Sequence, residues 1–268
     1  MGRHGWHDRP RLAHAAAGLD VIRPASTRDR HPWRTVLALG QLVPRFLARL
    51  GQILAANGYA VFMPNPRGST GRGGAFTGAN RFDFGGGDFG DIMSGIDVLV
   101  ERGVADADRL GICGWSYGGF MTAWAVTQTD RFKAAVAGAA PTNWVSKIGT
   151  TDIRPFNEWT LGEVNREPDR VWDRSPIRYV SRVTTPTLIV HGEADQRVPV
   201  TQGTEFYLAL KALGVDTEMV SYPRQGHGFH ERAFQIDVLQ RLVGWFDTYL
   251  IPASAPGSNT AGEPDAED

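Results

Sequence analysis

Gly114-Trp115-Ser116-Tyr117-Gly118-Gly119 is the stretch on which the reading of this chain turns. A short apolar run, Arg109-Leu110-Gly111-Ile112-Cys113, precedes it, and a helical pattern, Phe120-Met121-Thr122-Ala123-Trp124-Ala125-Val126, follows. A strand, a tight turn and a helix in that order form the context of a nucleophile elbow. Side chains two places either side of the serine would collide in so sharp a turn, hence Gly114 and Gly118. The turn lifts the Ser116 hydroxyl above the sheet and sets the amide of Tyr117 beside a developing oxyanion. Gly-x-Ser-x-Gly arises often by chance. The strand before it, and Gly119 and a helix after it, make the pattern specific.

Outward from the elbow, strands alternate with helices. Thr35-Val36-Leu37-Ala38-Leu39-Gly40 is a buried strand by its apolar run, and Leu47, Leu50, Ile53 and Leu54 recur at helical spacing until Asn57-Gly58 stops them. Tyr59 to Pro64 is the next strand, followed by a glycine-rich surface loop, Arg67 to Gly74, that lacks the Gly-Lys-Ser/Thr ending of a phosphate cradle. Phe89 to Val100 is a helix, with Asp88 as its N-cap and Asp91 in its first turn. Beyond the elbow helix come a strand at Phe132–Gly138, an irregular excursion over 141–178 with Trp144, Phe156, Trp159 and Trp172, and a strand at Thr187–His191. A helix over Val200–Leu213, a strand at Thr217–Tyr222 and a closing helix to Leu250 complete the pattern. This alternation predicts an α/β fold, a mostly parallel sheet with helices on both faces. Residues 1–34, rich in Arg, His, Pro and Ala, read as a poorly ordered arm; 35–250 is the domain, and 251–268 a disordered tail.

Bulk properties narrow the function. With 28 Lys and Arg against 29 Asp and Glu, the net charge is −1, which argues against nucleic acid or an anionic membrane surface as partner. One cysteine, Cys113, excludes an intrachain disulfide and is a small buried apolar residue on its strand. No apolar run has the length of a membrane span, and Leu12 to Leu19 is too short and interrupted for a signal peptide. A soluble cytoplasmic protein is the expectation.

Open α/β sheets build their sites at the carboxyl ends of the strands. Three such ends carry complementary chemistry, in the order Ser, Asp, His. Ser116 tops the first; His191-Gly192-Glu193-Ala194-Asp195-Gln196-Arg197-Val198-Pro199 follows the second; Pro223-Arg224-Gln225-Gly226-His227-Gly228-Phe229 follows the third. A serine hydroxyl needs a base within hydrogen-bond reach, and neutral imidazole suits that task near pH 7. His227, between two glycines, can swing toward Ser116, and Asp195 would accept its other ring proton. Asp195 is preferred to Glu193 because it lies deeper in the loop, beside Val198-Pro199. His191, at a strand end, reads as a buried hydrogen-bonding residue. His227 and His230 lack a third ligand, so no metal is expected, and no cofactor.

These motifs give the chain, from about Gly51 to Leu250, a close resemblance to the catalytic domain of the prolyl oligopeptidase family of serine peptidases, in its acylaminoacyl-peptidase and dipeptidyl-peptidase-like branch. The matching stretches are Gly58-Tyr59-Ala60-Val61, Asn65-Pro66-Arg67-Gly68-Ser69-Thr70-Gly71, Gly114 to Gly119, Thr142-Asn143-Trp144, His191 to Pro199 and Gly226-His227-Gly228. The resemblance implies an α/β-hydrolase fold, with Ser116 as nucleophile, Asp195 and His227 as its partners, and cleavage of short peptides or acylated amino acids through an acyl-enzyme. It further implies that Tyr117, Trp144 and Val198 line the pocket for the side chain before the cleaved bond, and that Arg197 meets a substrate carbonyl.

Two departures accompany it. The family's large N-terminal β-propeller has no room here, so the chain reads as a fragment or variant. The family's His-Gly-Gly-Pro turn is replaced after the first strand by Gly40-Gln41-Leu42-Val43-Pro44, which makes Gly40 or Gln41 the expected second oxyanion donor beside Tyr117. A carboxylesterase is the competing enzymatic reading, since the same triad hydrolyses esters. A hydrolase impaired at its oxyanion site is the third.

Overall fold

The computed structural model describes residues 50–251 throughout and, before them, the backbone of Val21–Ile22 and Trp33–Leu39. Its strands are β1 (Val21–Ile22), β2 (Trp33–Leu39), β3 (Ala60–Phe62), β4 (Ala105–Trp115), β5 (Phe132–Gly138), β6 (Thr187–Gly192) and β7 (Thr217–Tyr222). They form one sheet in the order β1-β3-β2-β4-β5-β6-β7. All neighbours are parallel except β1, which runs antiparallel to β3 at the edge.

Parallel strands are covered on both faces, so their sequences are apolar throughout rather than alternating. Here successive side chains enter opposite cores. Ile112, Ala135 and Ile189 pack on one face, while Cys113, Val136, Leu188 and Val190 pack on the other. The first face is covered by the helices α3 (Gly87–Glu101), α4 (Tyr117–Gln128) and α8 (Thr201–Ala212). The second is covered by α1 (Leu50–Ala56) and α9 (Arg232–Leu250). Gly58, at φ 82°, ends α1 in the left-handed conformation that a glycine adopts without strain. Burial on β4 pushes the Cys113 thiol up to about 12, leaving it a neutral packing residue.

Three sequence expectations change. The segment 1–34 contributes to the sheet, since Val21–Ile22 bonds along β3 and β2 begins at Trp33. Two residues are too few for any periodicity to show. The excursion over 141–178 is helical rather than irregular: α5 (Trp144–Thr150), α6 (Arg154–Leu161), α7 (Pro168–Asp173) and a 3₁₀ segment at Pro176–Arg182. Pro155, Pro168 and Pro176 each sit in a first turn, where a missing N–H costs nothing. The resulting segments are too short for a helical period to stand out. The glycine-rich loop from Arg67 is a loop as read, and passes at Gly74 into a single helical turn, α2 (Gly74–Thr77).

Finally, α3 starts at Gly87, whose N–H donates to the Asp83 carboxylate at 2.8 Å. Neither Asp88 nor Asp91 is its cap. Asp91 instead forms a bidentate pair with Arg67, which ties the loop to α3.

Candidate active site

Ser116 stands alone between the end of β4 and the start of α4, at φ 59° and ψ −116°. A residue with a Cβ holds such a backbone only where its surroundings force it. Two bonds and two close approaches do so here. Ser116 N–H donates to Gly138 O at 2.9 Å, and its carbonyl accepts from Phe120 N–H at 2.8 Å. A Cβ on Gly114 would lie 2.4 Å from the carbonyl of Gly118, and one on Gly119 would lie 2.2 Å from Gly138 O. The glycine spacing in the sequence is therefore a packing requirement between main chains.

The loops after β6 and β7 bring two further groups to this serine. Ser116 Oγ lies 2.8 Å from His227 Nε2, and His227 Nδ1 lies 2.8 Å from Asp195 Oδ2. Asp195 is buried, and its Oδ1 accepts from the N–H groups of Arg197 and Val198, both at 2.9 Å. Glu193 is elsewhere: it is exposed and accepts from the Ser221 hydroxyl at 2.8 Å. Ser116, Asp195 and His227, the three residues expected to converge, are thus adjacent. An imidazole between a hydroxyl and a buried carboxylate can take the hydroxyl proton while the carboxylate stabilises the imidazolium.

Two residues that the sequence reading did not single out organise these loops. Trp115 Nε1 donates to the His227 carbonyl at 2.9 Å, so the residue beside the serine also anchors the main chain of the histidine. Gln225, buried between the two loops, accepts the Ala194 N–H at its carbonyl and the His230 N–H at its side chain, each at 2.9 Å. The bonds from Trp115 to His227 and from Ala194 to Gln225 carry no local signature, since each joins two separate segments.

Beside the serine, the Tyr117 hydroxyl donates to the Asp88 carboxylate. Asp88 is fully buried and also accepts from Phe89 N–H at 2.8 Å. Burial outweighs these bonds and pushes the Asp88 carboxyl up to about 6, and burial beside Asp88 raises the Tyr117 phenol well above its ordinary value. Tyr117 and Trp144 both pack edge-on against Phe84, with ring centroids at 5.3 and 5.9 Å, and Trp144 also meets Phe120 at 5.3 Å. Val198, expected beside them, is buried and enters through its main chain, as a donor to Asp195 and an acceptor from His191.

Arg197 places Nε and Nη2 on the Asp152 carboxylate at 2.7 and 3.2 Å. Beneath Trp144, the buried Lys147 ammonium donates to the Asn157 side chain and lies 5.3 Å from the indole centroid. Burial, assisted by the nearby Arg197 charge, pushes Lys147 down to about 8. Gly40 and Gln41 lie outside the described residues. Among the described residues, no three His, Cys, Asp or Glu side chains converge as a metal centre would, and no helix is long and apolar enough to cross a membrane.

Residues 46–252 match the profile described as the prolyl oligopeptidase family. Over 206 residues the chain is 44% identical to "Uncharacterized peptidase YuxL" of Bacillus subtilis, covering 74% of this chain and 31% of that protein. It is 33% identical over 229 residues to the acylamino-acid-releasing enzyme of Mus musculus, covering 82% of this chain and 30% of the other. Among solved structures, an acylaminoacyl peptidase in complex with Z-Gly-Gly-Phe-chloromethyl ketone superposes with a TM-score of 0.79 at 28% identity. That match covers 90% of this chain and 41% of the other. The chain therefore spans about a third of the curated relatives it matches.

Proposed function

We propose, for a chain that belongs to the prolyl oligopeptidase family, that its α/β domain is a serine peptidase hydrolysing short peptides or N-acylated amino acids through an acyl-enzyme on Ser116. The observation that carries this reading is the unbroken relay from Asp195 Oδ2 through both nitrogens of His227 to Ser116 Oγ, with each link at 2.8 Å. His227 takes the Ser116 proton as the oxygen attacks the scissile carbonyl, then returns it to the leaving amine. Asp195 keeps the proton of His227 on Nδ1 and stabilises the imidazolium. A water, activated by the same imidazole, then releases the acyl group.

The tetrahedral oxyanion needs donors where its charge develops. Tyr117 N–H, at the first turn of α4, is the first. The second comes from the loop after β2, at Gly40 or Gln41. This assignment is supported by register: Leu39 pairs with Gly114, so the chain leaves the sheet beside the strand that carries Ser116.

Tyr117, Trp144 and Val198 bound an apolar pocket for the residue before the cleaved bond. The Phe-terminated chloromethyl ketone held by the similar acylaminoacyl peptidase supports an apolar occupant. Arg197, held against Asp152, meets a substrate carbonyl. The purified chain should hydrolyse N-acyl-aminoacyl anilides bearing an apolar side chain, and a fluorophosphonate should label Ser116 in one-to-one ratio. Ser116→Ala should lose both. Turnover of short acyl esters without anilides would assign a carboxylesterase instead, and unchanged anilide turnover by Ser116→Ala would refute the reading.

A further inference from the structure

We infer that His191 is a positioning residue for Asp195, acting through the main chain of Val198 to hold the carboxylate where His227 meets it. The inference rests on the proposed roles of Ser116, Asp195 and His227. His191 is the penultimate residue of β6 and is wholly buried. Its Nε2 lies 2.8 Å from Val198 O. A carbonyl oxygen only accepts, so Nε2 carries the ring proton. Val198 in turn donates its N–H to Asp195 Oδ1 at 2.9 Å. One residue is thus gripped from below by a histidine at a strand end, and grips the carboxylate above it.

The rest of the ring's surroundings hold it in that one arrangement. His191 Nδ1 is buried without a hydrogen-bond partner among the described residues, so a second ring proton would have no acceptor there. Burial lowers the His191 pKa, outweighing the bond to Val198 and the nearby Asp195 charge that raise it, and keeps the ring neutral. The backbone of α8 closes the Nδ1 edge: a Cβ on Gly203 would lie 2.8 Å from that nitrogen. On the other edge, Nε2 lies 3.7 Å from Asp195 Oδ2, the oxygen that faces His227. The charged groups bearing on this corner are Asp195, His227, Arg197, Asp152 and Lys147. As a mere space-filler the ring would be costly, because its buried Nδ1 has no hydrogen-bond partner among the described residues. A directed donor at Nε2 accounts for it.

Two substitutions separate a positioned donor from bulk. The amide nitrogen of glutamine reaches the place of Nε2, while that of asparagine reaches only the place of Nδ1, where no acceptor waits. His191→Gln should keep kcat within about threefold of the parent. His191→Asn should lower kcat by about 10- to 100-fold with little change in KM, because the loss lies in the geometry of the relay. In that variant the acid limb of the kcat/KM profile should move to lower pH, since a misplaced carboxylate supports the imidazolium less. Thermal melts establish that the variants are folded.

If His191→Asn does not fold, Gly203→Ala supplies the test: it keeps the histidine, presses on its Nδ1 edge and should produce the same displacement of the limb. Equal losses in the Gln and Asn variants, or a limb that stays in place in a folded Asn or Gly203→Ala protein, would overturn the inference. Ser116→Ala run alongside keeps two failures apart. Retained turnover there refutes the catalytic reading, whereas inactive Ser116→Ala beside fully active His191→Asn refutes only the role of His191.

Discussion

At the elbow, Ser116 is held by main chain against main chain: the α4 turn at Gly119 rests on Gly138 O, and Ser116 N–H reaches the same carbonyl. Across the site, Asp195 and His227 are held by hydrogen bonds in which side chains take part, from the Arg197 and Val198 amides to Asp195, from Trp115 to the His227 carbonyl and from His191 to Val198. Excluded volume, together with two main-chain hydrogen bonds, fixes the first region, so it fails abruptly when a single methyl is added. Directed bonds fix the second, so it weakens link by link, and the link closest to the reacting groups matters most. A nucleophile must sit at one point in space, which sterics enforce well. A base and its carboxylate must also be oriented, which only directional bonds can do.

The sharpest way to break this contrast lies in the acid loop. Asp195→Asn should lower kcat by about 10⁴-fold, because an amide that donates to Nδ1 selects the wrong tautomer of the facing imidazole. Glu193→Gln, on the exposed side of the same loop, should leave kcat unchanged. Steady-state kinetics of the two variants would transfer the role to Glu193 if the losses were reversed.

A methyl at the elbow tests the other half. Gly119→Ala puts a Cβ 2.2 Å from a backbone carbonyl that β5 holds in place, and should cost about 3–4 kcal/mol of stability. Urea denaturation would measure it. A loss below about 1 kcal/mol would mean that the elbow yields as readily as a loop.

The smallest effect concerns the buried carboxyl behind Tyr117. Because the Asp88 carboxyl is raised to about 6 in the fold, its contribution to stability is fully present below its unfolded value near 4. That contribution is lost as pH rises through about 6. Asp88→Asn removes this titration. The stability of the variant minus that of the parent should therefore move in favour of asparagine by on the order of 2–3 kcal/mol between pH 4 and pH 7. Urea midpoints at pH 4, 5.5 and 7 check the sign. A difference independent of pH would show that the carboxylate behind Tyr117 is no more costly in the fold than in water.

The amino-acid sequence alone determined the alternation of strands and helices, the elbow at Ser116 and the three strand ends at which the candidate site is built. Apolar runs, helical spacing and glycines on either side of a serine are constraints among neighbours in the chain, so they are written locally. The tertiary structure decided the rest. Asp88 reads as a helix cap by its position before an amphipathic run, yet it faces inward because the Tyr117 hydroxyl, 29 positions away, comes to it. The helices between Trp144 and Arg182 are too short, and too often restarted by proline, to show a period, and packing rather than propensity sustains them. Asp195 and Glu193 differ little as letters; loop position favours Asp195, and the burial of one and the exposure of the other separate their environments. The anchor from Trp115 to His227 spans 112 positions, and that from His191 to Val198 crosses a turn between two elements. The first leaves no trace in local pattern, because its partners become neighbours only when the sheet has brought its strand ends together; the second depends on how the connection after β6 folds back on its own strand.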